Sequence, residues 1–440
     1  MSIKKSIFEE LIIESNDQSR TVDISSGTIA VEYFEDIFSP TITVKIKVID
    51  TGNVIAPKEN PDGDKQSIYN GLPLRGGERL SIRISGNSEK NPGLDFSKNS
   101  NGYLYVSSIT DVISETQRES FTLHLTSRES ITNETSRVPK KFKTSSTIDN
   151  SVREILNDYL MAKKIGKIDK TSNKYGFIGN MRKPFTILTW LASKSVPEAS
   201  GSGTAGFLFY QTVDGFQFRS IDNLIDQSPK ATYTYSEATT SYDSEDKKDD
   251  NDLKILNYIT DKNQNLIEKL RLGVYSSQRL FFNPLDFNFS NTVFGFNNYK
   301  NKTNPLGKKL ELPKISNSSN LGLDEVPTRI MSQILDVGTM DPDVSTAQNS
   351  DPSLHQSQSL MRYNTLFTQT MSVMVPSNTN LRAGDIIECQ FPRISESDAR
   401  EYDPETSGLY MIKELCHHFD VERSYTSMKL IRDTFGPKKK

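Results

Sequence analysis

Cys416-His417-His418, with Cys389 upstream, is the one grouping in this chain whose side chains could ligate a transition metal. On a strand, neighbouring residues point to opposite faces, so His417 and His418 cannot share an ion. Cys416 and His418 do share a face, yet they leave a structural zinc site two ligands short unless Cys389 joins them. The expectation is ordinary strand residues, with buried cysteine acting as a small hydrophobe, and no metal.

Gly201-Ser202-Gly203-Thr204-Ala205-Gly206 has the spacing with which nucleotide-binding folds bring backbone amides against a pyrophosphate. That chemistry needs a strand before the glycines and a helix after them. Here a helix is expected to end near Val196 and a strand begins at Phe207, so the segment reads as a loop and no cofactor is expected. For hydrolysis, the sequence contains no GxSxG, HExxH or P-loop pattern, and His124 and His355 fall in a strand and a polar loop. No acidic residue is marked by an apolar setting that would raise its pKa, and no catalytic residue is expected.

The elements around these residues are mostly strands. Ile42, Val44, Ile46 and Val48 alternate with Thr41, Thr43, Lys45 and Lys47, the period of a sheet with one buried face. Loops such as Asn60-Pro61-Asp62-Gly63-Asp64 and Asn91-Pro92-Gly93 punctuate this region. After Pro139 the period changes. Val152, Ile155, Leu156, Tyr159 and Leu160 predict a helix with Asp149 or Ser151 as caps and Gly166 as a stop. A second helix is expected to open at Pro184 and to run through Phe185, Leu188, Trp190 and Leu191 towards Pro197. Phe207–Tyr210 and Phe216–Phe218 flank Asp214-Gly215, a hairpin signal. Further on come strand-like alternation at Thr232–Tyr235, a solvated charge run at Asp243–Asp250, and Phe-rich strands over Tyr275–Phe289. The polar segment Asn297–Ser359 is interrupted by a predicted short helix after Pro327 containing Ile330, Ile334 and Leu335. A basic tail, Lys438–Lys440, ends the chain.

One pattern occurs twice. Leu74-Arg75-Gly76-Gly77-Glu78-Arg79-Leu80 is matched by Leu381-Arg382-Ala383-Gly384-Asp385-Ile386-Ile387, a glycine turn and an acid feeding a strand. Gly102-Tyr103-Leu104-Tyr105-Val106 and then Phe121, Leu123 and Leu125 are matched by Gly408-Leu409-Tyr410-Met411-Ile412 and then Met428 and Leu430. Turn and strand repeated at matched distances suggest one small barrel written twice, and a chain with two such units lets a ring display twice as many units as subunits.

The chain has 440 residues, 35% of them hydrophobic and 25% charged, with 53 basic and 56 acidic side chains for a formal charge of -3. That is room for roughly three domains at ~150 residues each, and it supplies no global attraction to phosphates. Two cysteines exclude a disulfide framework, leave one bridge possible in principle, and suit a reducing cytoplasm. Glu9 and Glu10 interrupt the apolar stretch after Lys4 and Lys5, so no signal peptide is expected. No run of about 18 apolar residues occurs, so no membrane-spanning helix is expected either.

The expected fold is mainly β with an α/β part: two similar small antiparallel β-barrels of the tube type, a mixed α/β domain and a loop-rich insertion. The first barrel is placed at 1–130 and the mixed domain, with two helices and a hairpin, at 131–228. The second, interrupted barrel takes 229–262 and 363–436, around an insertion at 263–362 that runs from strands into loops.

This order of elements, clearest from Pro184 to Asp222 and from Leu381 to Phe435, resembles the baseplate central hub protein of contractile-tailed, T-even-like bacteriophages. The resemblance implies a homotrimer whose six similar barrels form a pseudo-six-fold ring. Such a ring joins the hexameric tail tube to a trimeric central spike, contacts other baseplate proteins, and surrounds a channel through which DNA passes without specific binding. It implies a virion tail protein assembled in the host cytoplasm, with no stable membrane insertion. A related reading is the hub part of a type VI secretion VgrG spike, which expects a needle or oligosaccharide-binding barrel after the second unit, where this chain stops at Lys440. A wall-degrading tail enzyme using Glu414 or Asp420, and a sugar- or receptor-binding module using aromatics in Phe281–Phe296, are the competing readings.

Overall fold

The computed structural model describes residues 5–56, 64–88, 91–198, 204–235, 252–261, 265–299, 302–308, 311–337, 355–393 and 402–438. The Asn60–Gly63 stretch, Gly201–Gly203, the Asp243–Asp250 charge run, much of the polar segment before Ser359, and Lys439–Lys440 lie outside the described residues.

The first third supplies strands β1 (Ile7–Glu14), β2 (Thr21–Asp23), β3 (Thr28–Asp36), β4 (Thr43–Asp50), β5 (Arg79–Ser88), β6 (Asn91–Phe96), β7 (Leu104–Ser114) and β8 (Glu119–Thr126), with a short helix α1 (Ile68–Gly71). Period-two alternation shapes them: in β4 Val44, Ile46 and Val48 are buried while Thr43, Lys45 and Lys47 face out. The middle third holds helices α2 (Arg128–Thr135), α3 (Ile148–Glu154), α4 (Pro184–Lys194) and α5 (Ile221–Ile225), and strands β9 (Lys141–Phe142), β10 (Ile165–Ile168), β11 (Phe177–Ile178), β12 (Phe207–Thr212) and β13 (Gly215–Ser220).

Helix α4 starts on Pro184 at its first turn, where the missing N–H costs nothing, and the Phe185 amide donates to Asn133 Oδ1 at 2.8 Å. The β12–β13 hairpin is buried on both faces. Phe207, Phe209, Phe216 and Phe218 pack with Leu188 and Leu191 of α4, while Leu208 and Tyr210 pack with Ile386, Met411 and Ile431. Phe207–Tyr210 supply the unbroken apolar run that a strand between two layers requires, while the buried Gln217 and Arg219 of β13 are hydrogen-bonded to the Lys167 amide and to Asp169. The helix over Val152–Leu160 forms, with α3 continuing into a wide turn at Ile155–Tyr159. Its boundary residue is Thr147; Asp149 lies inside the first turn and accepts from the Thr171 amide and hydroxyl. Gly166 is not the stop, because the helix has ended at Leu160 and Gly166 belongs to β10.

The last part holds β14 (Thr232–Thr234), β15 (Asn257–Asp261), helix α6 (Leu266–Leu272), β16 (Ser276–Phe282), β17 (Phe289–Gly295), β18 (Arg329–Ile334), helix α7 (Gln356–Thr365), β19 (Gln369–Pro376), β20 (Ile386–Gln390), β21 (Gly408–Asp420) and β22 (Ser424–Arg432). The predicted helix after Pro327 is strand β18, paired in parallel with β16 from Ser277↔Arg329 to Phe282↔Ile334. Ile330 and Ile334 are four apart, a spacing that satisfies both a helix face and a strand face; a neighbouring strand and β-branched side chains decide for the strand.

Fourteen strands form one continuous sheet. Two sets within it have the same neighbour order: β1-β5-β7-β8-β4-β3 and β14-β20-β21-β22-β19-β15. The sets also follow the same order along the chain. They differ at the outer pair, where β1 runs antiparallel to β5 and β14 runs parallel to β20. The insertion with α6, β16–β18 and α7 occupies the connection β15–β19, whose counterpart in the first set is the short β3–β4 link. Buried residues of both sets, from Leu11 and Leu123 to Val373 and Leu430, belong to one apolar cluster. The two units are thus joined edge to edge by β3 and β21.

Candidate functional site

The residues that repeat in sequence do the same work twice. In the first turn the amides of Arg75 and Gly76 donate to Glu78 Oε1 and Oε2 at 2.8 and 2.9 Å, and Gly77 has φ 95°. In the second the Arg382 amide donates to Asp385 Oδ2 at 2.9 Å and Gly384 has φ 90°. Gly77 then donates to the Val106 carbonyl at 2.7 Å, and Gly384 to that of Ile412 at 2.8 Å. Even the irregularity is shared: the β7–β8 register shifts between Val106 and Ser108, the β21–β22 register between Ile412 and Glu414. A bulge at the same place in both copies is a built feature of the unit.

Gly384 has a second constraint. A Cβ there would lie 2.4 Å from Tyr210 Oη, on a residue already in left-handed backbone space. Gly384→Ala is expected to destabilise the chain by about 1–3 kcal/mol through strain and overpacking. Gly52→Ala, with φ 82° but nothing within 4 Å, carries the backbone strain alone and is the control. Thermal midpoints of the two variants check this, with the larger drop expected at Gly384.

The units meet where β3 pairs antiparallel with β21, from Glu414↔Asp36 to Asp420↔Ala30. Near one end of this pairing is Glu35, 1% exposed, in phase with the inward residues Val31 and Tyr33. Its Oε1 accepts from Tyr33 Oη at 2.7 Å and the Val213 amide at 2.8 Å, and its Oε2 from the Ala383 amide at 2.8 Å. One carboxylate therefore binds the first unit, the β12–β13 turn and the second glycine turn together. Burial raises its pKa to about 7, against the lowering pull of Arg382 and the three donors. The sequence marked no such acid; the signal was its place in the inward phase of β3. Asp385 and Asp433 are likewise pushed upward by burial.

The Cys-His-His grouping is part of this joint. His417 is buried against Tyr33, shares a hydrogen bond with Thr426 Oγ1 at 3.0 Å, and is pushed down to about 3 by burial and by Arg382. His418 points the other way, to Glu32 and Asp420 at 3.2 Å each. Burial pushes the Cys416 thiol up to about 12. Among the described residues no three His, Cys, Asp or Glu side chains are grouped to hold a metal.

At the glycine-rich loop, the Thr204 amide donates to Asp222 Oδ2 at 2.6 Å and the Ala205 amide to Gln358 Oε1 at 3.0 Å. These two amides, at the described end of the loop, are thus satisfied by the protein's own acceptors, one of them a carboxylate. Glu414 is held by Lys413 and Lys429, and Asp420 by His418 and Arg423. A cleft between Tyr103, Lys163 and Gly215 has one of its two lysines, Lys164, bonded to Asn101 Oδ1 and the Val213 carbonyl. Among the insertion aromatics, Phe281, Phe294 and Phe296 are core, whereas Phe287 and Phe289 are 75% and 76% exposed. Phe289, Val293, Ile330 and Ile334 lie on one outward face of the β17-β16-β18 sheet.

Among the described residues no helix is long and apolar enough to cross a membrane. No model of a known protein family matches the chain. A probable baseplate hub protein, gp334 of Vibrio phage KVP40, is 21% identical over 303 residues, covering 67% of this chain and 68% of that protein. Among solved structures, the tail protein from Neisseria meningitidis MC58 superposes with a TM-score of 0.53 at 9% identity over 96% of both chains. The 43 kDa tail protein of prophage MuSo2 from Shewanella oneidensis gives a TM-score of 0.48 at 10% identity, covering 97% of this chain and 98% of that one. The chain thus has the mainly β fold seen in a phage-type tail protein and a sequence relative among probable baseplate hub proteins.

Proposed function

We propose that three copies of this chain close a ring of six similar units, forming the hub that joins a six-fold tail tube to a three-fold central spike around a DNA channel. The observation that carries this reading is the doubled unit, with its repeated turn, bulge and strand order, joined internally by strand pairing. A surface displayed six times by three chains fits a hexameric ring, and the differences between the units preserve three-fold character on the other side. The insertion belongs to one unit of each chain, so its apolar sheet face would be displayed three times and suits the three-fold partner. A formal charge of -3 gives a channel wall no strong global attraction for DNA.

The role is structural rather than catalytic. Glu35, the carboxyl at the joint that burial raises to about 7, is sealed in the interior with three donors, and Asp385 and Asp433, raised likewise, are also buried. Mass photometry of the purified chain is expected to find particles of three times 49.6 kDa, and negative-stain images a lobed torus with a central hole. Monomers over a wide concentration range, with tube and spike proteins present, would overturn the ring. Lysis in a peptidoglycan zymogram by the chain alone would overturn the non-catalytic role.

A further inference from the structure

The edge of β21 that faces away from β22 serves two partners in series. Gly408–Met411 pairs with β20, and Glu414–Asp420 pairs with β3. Its counterpart β7 uses the first half of the same edge for β5, through Tyr105↔Arg79 and Leu104↔Leu80. Among the described residues no strand takes the second half, and from Ser107 to Ser114 the strand is largely exposed. At the other end of the sheet, β15, the counterpart of β3, pairs among the described residues with β19 alone. The internal joint therefore leaves one unused copy of each of its two surfaces.

The geometry points to these two surfaces pairing between chains: β15 of one copy lies antiparallel along the second half of β7 of the next, repeating the β3–β21 joint. This rests on the ring reading above and supplies its contact. The register follows from the repeats. Ile46 and Val373 hold equivalent places opposite Leu123 and Met428, and their other partners are Val31 and Tyr258, so Glu32 corresponds to Ile259. Ser120 and Tyr425 are likewise equivalent, with partners Ile113 and His418. Within the chain His418 faces Glu32, so between chains Ile113 faces Ile259. These two isoleucines are 58% and 66% exposed.

The change of chemistry fits the change of task. A joint inside one chain costs no association entropy, and a hydrogen-bonded histidine and carboxylate suffice there. A joint between chains must overcome lost translational freedom, which an apolar cross-strand pair does better. Asp111, with φ 52°, is the extra residue of a second bulge in β7, a device that keeps a bare edge from pairing indiscriminately. Because the two surfaces are different, the contact is head-to-tail, the kind that forms a ring where its rotation closes and never a two-fold dimer.

The test uses the full chain carrying Ile113→Cys and Ile259→Cys, oxidised with diamide and run on a denaturing gel. Covalent dimers and trimers are expected from the double variant and from neither single variant, since Cys389 is buried and Cys416 is half-buried. A second set does not depend on disulfide geometry. Ile113→Glu and Ile259→Lys are each expected to raise the concentration at which trimers half-dissociate by roughly tenfold or more, and the two together to restore it. A wild-type chain that stays monomeric overturns both the ring and this pairing. A wild-type trimer with no ladder and no response to either charge overturns the pairing and leaves the ring standing.

Discussion

Arg362→Met is expected to destabilise the folded chain by about 3–5 kcal/mol, the range for removing one partner from a buried ion pair. Arg362 projects from α7 and is 2% exposed, between Asp222 at 2.9 Å and Asp433 at 3.6 Å, which are 14% and 4% exposed. Asp222 lies in the first turn of α5, just after the β12–β13 hairpin, and also receives the amide and hydroxyl of Thr204. Asp433 follows β22 and receives the Leu306 amide at 2.9 Å. One guanidinium therefore ties helix α7 of the insertion, helix α5 and the segment after β22. Methionine keeps most of the volume, so the loss reports the stranded carboxylates rather than a cavity. Burial already pushes Asp433 towards its neutral form, so adding Asp433→Asn to Arg362→Met should recover part of the loss. Urea unfolding followed by tryptophan and far-UV signals measures both, and a midpoint unchanged in Arg362→Met would show that the pair contributes nothing.

Individual strands of this fold were legible where alternation was clean, as in β4, and turns where the backbone demanded a particular residue, as at Gly77, Gly384 and Gly215. Helix α4 was legible because Pro184 fits only one place in a helix. Ile330 and Ile334 misled because a spacing of four belongs to both periods, and only the neighbouring β16 could decide. The doubling was visible in the letters of the turns and of β7 and β21. Its deeper form, the same six-strand order in both units, was not, because β3 and β15 share no recognisable residues: Val31 corresponds to Tyr258 and Glu32 to Ile259. Those letters differ for a physical reason, since one strand is covered within the chain and the other is left as an edge. The buried acids were hidden likewise. Whether Glu35 is solvated depends on Val213 and Ala383, which lie 178 and 348 residues away.

Glu35→Gln is expected to flatten the pH dependence of stability between about pH 5 and pH 8. In the unfolded chain this carboxyl has its ordinary value of 4.5; in the folded chain burial raises it to about 7. Between those values the folded state holds a proton that the unfolded state has released, so the contribution is fully present below 4.5 and is lost as pH rises through about 7. The displacement corresponds to roughly 3 kcal/mol at most. Glutamine cannot ionise and shows no such loss at this site, while Asp385 and Asp433 titrate alike in both proteins and cancel in the comparison. Urea midpoints at pH 5 and pH 8 for the two chains give the difference directly. Equal pH dependence in both would exclude Glu35 as the titrating group. Glu35→Ala removes the acceptor from two amides and a hydroxyl at once and is expected to cost about 3–5 kcal/mol at pH 5. Because Glu35 lies on the strand that joins the two units, opposite Leu415, ionisation weakens the joint itself.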